Sequence, residues 1–151
     1  MHQILVNLNF GAIFVASLTS FVIVAIWFGP KTFYQTWIRA MGREVPTERV
    51  KMTGGETLLM FGGTYLGALI QATTLAGILV LARLAGPVSP ADGALFGLVF
   101  SVGLGAFSSL SHRMFGQANF KVYRSLKVWL IEVGQDAVAL TVAGAILAAW
   151  V

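Results

Sequence analysis

Positive charge divides this chain into long stretches without charge. Nine of its ten Lys and Arg residues lie in two short segments, the first over residues 31–51 and the second over residues 113–127. Their members are Lys31, Arg39, Arg43, Arg49 and Lys51 in the first, and Arg113, Lys121, Arg124 and Lys127 in the second. The stretches outside these segments are strongly apolar, so the pattern of charge limits where a helix or a loop can lie.

Four apolar runs are each long enough to cross a lipid bilayer. A helix needs about 20 mostly apolar residues to span roughly 30 Å of hydrocarbon. The predicted spans are residues 10–28, 57–82, 93–111 and 128–150, the last interrupted by Glu132 and Asp136. Composition agrees, with 57% hydrophobic and 11% charged residues, whereas soluble domains are about one quarter charged. We predict an all-α membrane protein, a single domain over residues 1–151 with four transmembrane helices in a bundle.

The charge distribution also predicts an orientation. An excess of Lys and Arg marks the cytoplasmic side of a membrane protein. Four crossings place both basic segments on that side, so both termini are expected to be extracytoplasmic, in a bacterial inner (plasma) membrane. No Lys or Arg precedes Phe10, so the first run is expected to be a retained span rather than a cleaved signal peptide.

The segment after the first span has the pattern of an interfacial amphipathic helix. One face of residues 31–43 is apolar, and the opposite face is polar. The aromatic side chains are expected to point toward the acyl chains, and Lys31, Arg39 and Arg43 toward the lipid headgroups. A simple topology anchor and specific lipid recognition are both compatible with this pattern. The apolar face comprises Phe33, Tyr34, Trp37, Ile38 and Met41, and the polar face Lys31, Gln35, Arg39 and Arg43.

Two further patterns concern helix ends and helix packing. Thr53 and Glu56 have the spacing of a capping box at the start of the second span. In the third span a small residue recurs at every fourth position, which lets two helix backbones approach closely in lipid. This stripe could pack within the chain or form a subunit interface, and a homo-oligomer is expected. Its members are Gly93, Gly97, Ser101, Gly105 and Ser109.

The fourth span contains two acids, which form the candidate functional site. Glu132 and Asp136 lie one helical turn apart on one face, with Gln135 beside them, and Gln71 lies near the middle of the second span. Acids at this depth are costly and normally face the bundle interior or water. The functional interpretation is a proton or cation relay, or a site for a cationic or hydrogen-bonding solute. The structural interpretation is a polar cluster with one or more of Gln71, Ser17, Ser20 and His112.

Other kinds of chemistry have no support in the sequence. The chain has no Cys and two His, which excludes disulfides and thiolate metal sites and argues against a His-rich one. It has no Walker loop, nucleophile elbow, HExxH motif or dinucleotide-binding glycine pattern. We therefore expect no enzymatic activity, cofactor or metal. The pI near 9.9 follows from the bias in the loops, so nucleic acid is not an expected partner.

One group of residues resembles a known family. The residues that carry the resemblance are Asn9, the sequence Trp27-Phe28-Gly29-Pro30, Phe33, Trp37 and Gly42. With them, the first part of the chain resembles the opening of the bacterial domain-of-unknown-function family 1761, a family of small integral membrane proteins. The resemblance implies a membrane location and four spans. It implies no activity and no site residues.

These patterns favour a small oligomeric transport or channel-like protein that uses the acidic face of the fourth span. The alternative is a non-catalytic accessory or scaffold subunit that binds another membrane protein through small-residue helix faces. The expected partners are membrane lipids and further copies of the chain. A small solute or cation belongs to the first hypothesis, and a membrane-protein partner to the second.

The predicted orientation can be tested with reporters fused after Val151. Alkaline phosphatase, which folds only outside the cytoplasm, is expected to be active there, and green fluorescent protein is expected to be dark. Fusions within residues 31–51 should show the opposite behaviour and serve as the control. A fluorescent fusion after Val151 would contradict the orientation and the cytoplasmic placement of the basic segments.

Overall fold

The fold is built from helices joined by short connections. The structure, a computed structural model, describes residues 6–46, 48, 51–115 and 121–150, and all regular structure in these residues is helical. Arg49 and residues 116–120, which belong to the two basic segments, lie outside the described residues. We number the helices α1 Phe10–Trp27, α2 Tyr34–Ala40, α3 Gly54–Arg83, α4 Pro90–Ala106, α5 Leu110–Phe115 and α6 Val122–Ala149.

The all-α class predicted from the sequence is confirmed, but the predicted spans are confirmed only in part. Among the described residues, three helices are long and apolar enough to cross a membrane: α1 with 18 residues, α3 with 30 and α6 with 28. The predicted span over residues 93–111 is interrupted, because α4 ends at Ala106 after 17 residues. Ser108 and Ser109 follow in a turn, where their hydroxyls donate to carbonyls of the preceding turn, a competition with helical bonding that favours a helix end.

Polar side chains fix the starts of three helices, α1, α3 and α4. Asn9 accepts a hydrogen bond from the first turn of α1. The predicted capping box of α3 is confirmed: the Thr53 hydroxyl accepts from the Glu56 amide, and the Glu56 carboxylate accepts from the Thr53 amide at 2.8 Å. Ser89 and Asp92 form the same box at the start of α4, with Pro at the first helical position. These caps satisfy amides that have no partner within the helix.

Helix α6 is the central element, because it contacts each of the other helices. Its closest neighbour is α4, and glycines make this contact possible. A Cβ atom added to Gly97 would lie 2.0 Å from the carbonyl oxygen of Leu140, and one added to Gly93 would lie 2.3 Å from that of Gly144. The two backbones therefore touch, as small residues allow in membrane helices.

The close contact covers only the first half of the predicted small-residue stripe. Gly93, Gly97 and Ser101 are buried, whereas a Cβ added to Gly105 would meet no atom within 4 Å. From Ser101 to Ala106 the helix is a π-helix. Because its hydrogen bonds run from i to i+5, a four-residue repeat no longer stays on one face. The hydroxyl of Ser109 is bonded to carbonyls of its own turn.

The main core lies where α1, α3 and α6 meet, and its residues are mostly alanine and leucine. Only the second part of α3 contributes, because residues 54–67 are largely exposed while residues 68–80 have a buried face. In the first part, Tyr65 packs edge-on against Phe21 of α1, with ring centroids 5.8 Å apart. The buried members are Ala12, Ile13, Ala16, Ala72, Leu75, Ala76, Leu79, Leu140, Ala143, Leu147 and Ala148.

The amphipathic segment 31–43 is helical over a shorter range than predicted, and its apolar face contacts protein. Ile38 and Met41 are buried against Val128 of α6, and Trp37 packs on Phe28 with ring centroids 4.9 Å apart. Ile38 and Met41 therefore lie against protein, and the orientation of the aromatic side chains toward acyl chains stays a prediction. Val128, the first residue of the predicted fourth span, supplies this apolar surface for α2.

The glycine contact predicts different effects for the same substitution at two positions of α4. Gly97→Ala is expected to destabilise the fold by about 3 kcal/mol, because its Cβ would overlap the α6 backbone. Gly105→Ala is the matched control, and it should be neutral or stabilise by up to about 1 kcal/mol through helix propensity. Thermal unfolding of the detergent-purified protein measures both, with a drop of roughly 10 °C expected for Gly97→Ala. Equal melting temperatures would contradict the close approach of α4 and α6.

Candidate functional site

Glu132 and Asp136 share one cation, Arg113 of α5. Its Nη2 lies 2.8 Å from Oδ2 of Asp136, and its Nε lies 3.5 Å from Oε2 of Glu132. The indole Nε1 of Trp37 donates to Oε1 of Glu132 at 2.9 Å. The three charged side chains are each about a quarter exposed, at 24% for Asp136, 22% for Glu132 and 27% for Arg113. We call Arg113, Glu132 and Asp136 the charge cluster.

Indole groups hold the helices around this cluster. Nε1 of Trp129 donates to the carbonyl oxygen of Ala106 at 3.0 Å, which attaches the end of α4 to α6 just before the chain enters α5. Nε1 of Trp27 donates to the carbonyl oxygen of Ile131 at 3.0 Å, which attaches the end of α1 to the same part of α6. A Trp side chain has an apolar body and a single donor, so it can bind a backbone carbonyl while it packs against apolar neighbours.

The partner of the acids differs from the partners considered from the sequence. Ser17 donates to the carbonyl of its own helix, and Ser20 lies 3.4 Å from the carbonyl oxygen of Ala139, so neither reaches the acids. His112 is exposed, and its neighbour Arg113 makes both contacts. Sequence reasoning assigned Arg113 to the basic segment because it follows the third apolar run. The sequence does contain a signal for these ion pairs, namely an Arg close to the end of one apolar run and two acids in the next span.

The charge cluster has unequal numbers of positive and negative groups. With both carboxylates ionised, two negative charges face one guanidinium, which leaves a formal charge of −1. Both ion pairs found in the described part of the chain involve Arg113. A net charge in a low-dielectric environment is unfavourable unless another group or ligand neutralises it. The arrangement is therefore suited to interact with one further positive charge.

Asp136 also lines a groove between α3, α4 and α6, which we call the Asp136 groove. Its volume is about 220 Å³. Gln71 of α3 lies on its wall, as does Ser101, which is 2% exposed and has no hydrogen-bond partner for its Oγ among the described residues. Ser101 begins the π-helical part of α4, and π-helical turns occur often at functional sites. The other lining residues are Phe100, Leu104, Gly105 and Leu140.

The remaining predicted site residues lie away from this groove. Gln135 is partly buried on α6 and is not among the residues that line the groove. Lys31, Arg39 and Arg43 are all exposed, and Arg39 also lines a separate cleft next to α6. Within the described residues, no group of three or more His, Cys, Asp and Glu side chains is arranged to hold a metal ion.

Comparison with known proteins identifies a family. A family model described as "Protein of unknown function (DUF1761)" matches residues 11–148, which includes every helix of the charge cluster and the Asp136 groove. No curated protein and no solved structure matches the chain.

The charge cluster predicts that Arg113 stabilises the fold only when the acids are charged. Arg113→Gln is expected to lower the free energy of unfolding by about 2–3 kcal/mol, since it leaves two partly buried carboxylates without their cation. Adding Glu132→Gln and Asp136→Asn to that variant should recover most of the loss. His112→Gln, one residue away and exposed, is the control and should have little effect. The prediction fails if Arg113→Gln and His112→Gln unfold at the same temperature.

Proposed function

The chain belongs to the DUF1761 family of proteins of unknown function, and from that premise we propose that it is a small transport or channel-like protein of a bacterial inner membrane. In this proposal the Asp136 groove binds a proton, a monovalent cation or a cationic, hydrogen-bonding solute. Separate observations support the membrane setting and the binding site.

The surface and the helix lengths support the membrane setting. Helices α1, α3 and α6 are long enough to span, and α4, at 17 residues, is about 25 Å long and reaches the lower limit for a crossing. Four crossings would place both basic segments on one side. Large apolar side chains are exposed around the molecule, a surface suited to lipid. Examples are Phe14 at 55%, Ile70 at 57%, Leu104 at 63% and Leu130 at 54%.

One observation supports the proposed binding site: Asp136 pairs with Arg113 in the charge cluster and also lines the Asp136 groove. A cation that enters the groove would compete with Arg113 for the same carboxylate. Gln71 and the Oγ of Ser101 would supply polar contacts in a groove that is otherwise lined by apolar groups. Binding would then weaken the contact that holds α5 to α6, so occupancy of the groove would be linked to the position of α5.

This function predicts that Asp136→Asn abolishes transport without loss of the fold. The amide keeps the shape and hydrogen bonding of the side chain but removes the charge that a proton or cation would neutralise. Purified protein in liposomes loaded with a pH-sensitive dye, driven by a potassium diffusion potential, reports proton entry. Wild-type protein should exceed empty liposomes, and Asp136→Asn should fall to their rate, a loss of at least about tenfold.

Two controls make this experiment specific. Glu44→Gln removes an exposed loop acid and should transport like the wild type. Glu132→Gln removes the acid that is not in the groove wall, so it should retain more activity than Asp136→Asn. A parallel assay with potassium or sodium inside the liposomes covers cation conduction. Wild-type rates equal to those of empty liposomes for protons and both cations would overturn the proposal, as would full activity of Asp136→Asn.

The second candidate function is an accessory or scaffold subunit, and a different observation favours it. Gly63 and Gly67 of α3 are exposed, and a Cβ added to either would meet no atom within 4 Å. Small residues four positions apart on an outer face suit the approach of another membrane helix, whereas Gly93 and Gly97 already contact α6. Native mass spectrometry after gentle solubilisation separates the candidates. A homo-oligomer without other proteins favours transport, and a fixed second protein favours the accessory role.

A further inference from the structure

The two basic segments, residues 31–51 and 113–127, contribute side chains to one cleft. The cleft lies between α2 and the first turns of α6 and has a volume of about 320 Å³. Arg39 comes from the first segment, and Arg124 and Lys127 come from the second; Thr36 and Ala40 complete the lining. We call it the basic cleft.

The lining of the basic cleft is chemically one-sided. It contains three cations and one hydroxyl and no carboxylate. Both ion pairs in the described part of the chain involve Arg113, so no described acid pairs with Arg39, Arg124 or Lys127. Three like charges around one cavity repel each other, and a bound anion would remove that repulsion. Arg124 is also in the first turn of α6, where the helix dipole is positive.

Packing on the other side of α2 fixes the backbone that carries Arg39 relative to α6. Ile38 and Met41 of α2 are buried against Val128 of α6, so Arg39 is carried on a helix that is fixed to α6. Arg124 and Lys127 are three residues apart and therefore lie on one face of α6. Arg39, Arg124 and Lys127 are exposed at the mouth of the cleft, whereas Lys31 and Arg43, which the sequence grouped with Arg39, do not line it.

We propose that the basic cleft binds a phosphate group, and that the anionic headgroup of a phospholipid supplies it. Two guanidinium groups match the oxygens of a phosphate by paired hydrogen bonds, and Lys127 and the Thr36 hydroxyl add further donors. Basic residues beside membrane-spanning helices bind anionic headgroups in this way. A soluble phosphate compound offers the same chemistry, so the test compares both sources. The inference rests on the basic cleft alone and does not depend on the Asp136 groove.

The test is native mass spectrometry of the full chain in detergent with added lipid. Phosphatidylglycerol should bind to the wild type more tightly than phosphatidylcholine does. Arg39→Gln combined with Arg124→Gln should weaken phosphatidylglycerol binding by roughly 30-fold or more, because two guanidinium groups lose their charge-assisted hydrogen bonds to the phosphate. Arg43→Gln combined with Lys121→Gln is the matched control. It removes the same charge, one residue from each segment, but no donor of the cleft, and it should change binding less than about threefold because salt screens exposed charges at a distance.

A third variant keeps the test valid if the neutral variant does not fold. Arg39→Lys with Arg124→Lys retains the charge but loses the paired hydrogen bonds, so it should bind phosphatidylglycerol at an intermediate level. Glycerol 3-phosphate, added without lipid, tests the soluble source; binding that equals that of phosphatidylglycerol would support the phosphate site and overturn the lipid assignment. Equal binding of phosphatidylglycerol and phosphatidylcholine, or equal losses in the cleft and control variants, would overturn the proposal.

Discussion

The contact on which the rest of the structure depends is the approach of α4 to α6 through Gly93, Gly97 and Gly144. At these positions each backbone occupies the space that a Cβ would need on the other helix. If the surroundings are lipid, apolar area alone does not drive helices together, so close packing of this kind must supply the association. Helix α6 also contacts α1, α2, α3 and α5. The position of α4 on α6 therefore fixes where the chain leaves α4 relative to these helices.

The end of α4 determines the position of Arg113, which lies on the following helix α5. The π-helical segment and the turn that follow carry the chain onto the face of α6 where Glu132 and Asp136 lie, and Trp129 bonds the end of α4 to α6. One packing arrangement therefore accounts for both features. It produces the glycine contact near the start of α4 and brings Arg113, beyond the end of α4, to the acids of α6. The π-helical turn has a second effect, since it begins at Ser101 and leaves that buried hydroxyl at the wall of the Asp136 groove.

The sequence predicted well what depends on local patterns. The helical class, the capping box at Thr53 and the positions of three long apolar helices follow from residue spacing and hydropathy. It predicted less well what depends on which helix faces which. Charge counting placed Arg113 in a loop, because only the fold shows that α5 returns to α6. The four-residue stripe was extended through Gly105, since a change from α- to π-helical bonding at Ser101 has no clear sequence signal. Hydropathy also does not show that Ile38 and Met41 of α2 pack against Val128 at the start of the fourth span, because it carries no information about which helices meet.

Helix α2 connects the basic cleft to the charge cluster. Within five residues it carries Thr36 and Arg39, which line the cleft, and Trp37, whose indole donates to Glu132. A hydrogen bond to a charged group contributes about 1.5–3 kcal/mol, which sets the scale of any coupling through this bond at roughly 10- to 150-fold in affinity. An anion that draws Arg39 toward Arg124 and Lys127 would also tighten α2 on α6 and so favour the bond from Trp37. Glu132 in turn lies beside Arg113, which pairs with Asp136 at the groove wall. The basic cleft and the charge cluster are therefore built on one shared helix, so the packing of α2 on α6 positions residues of both.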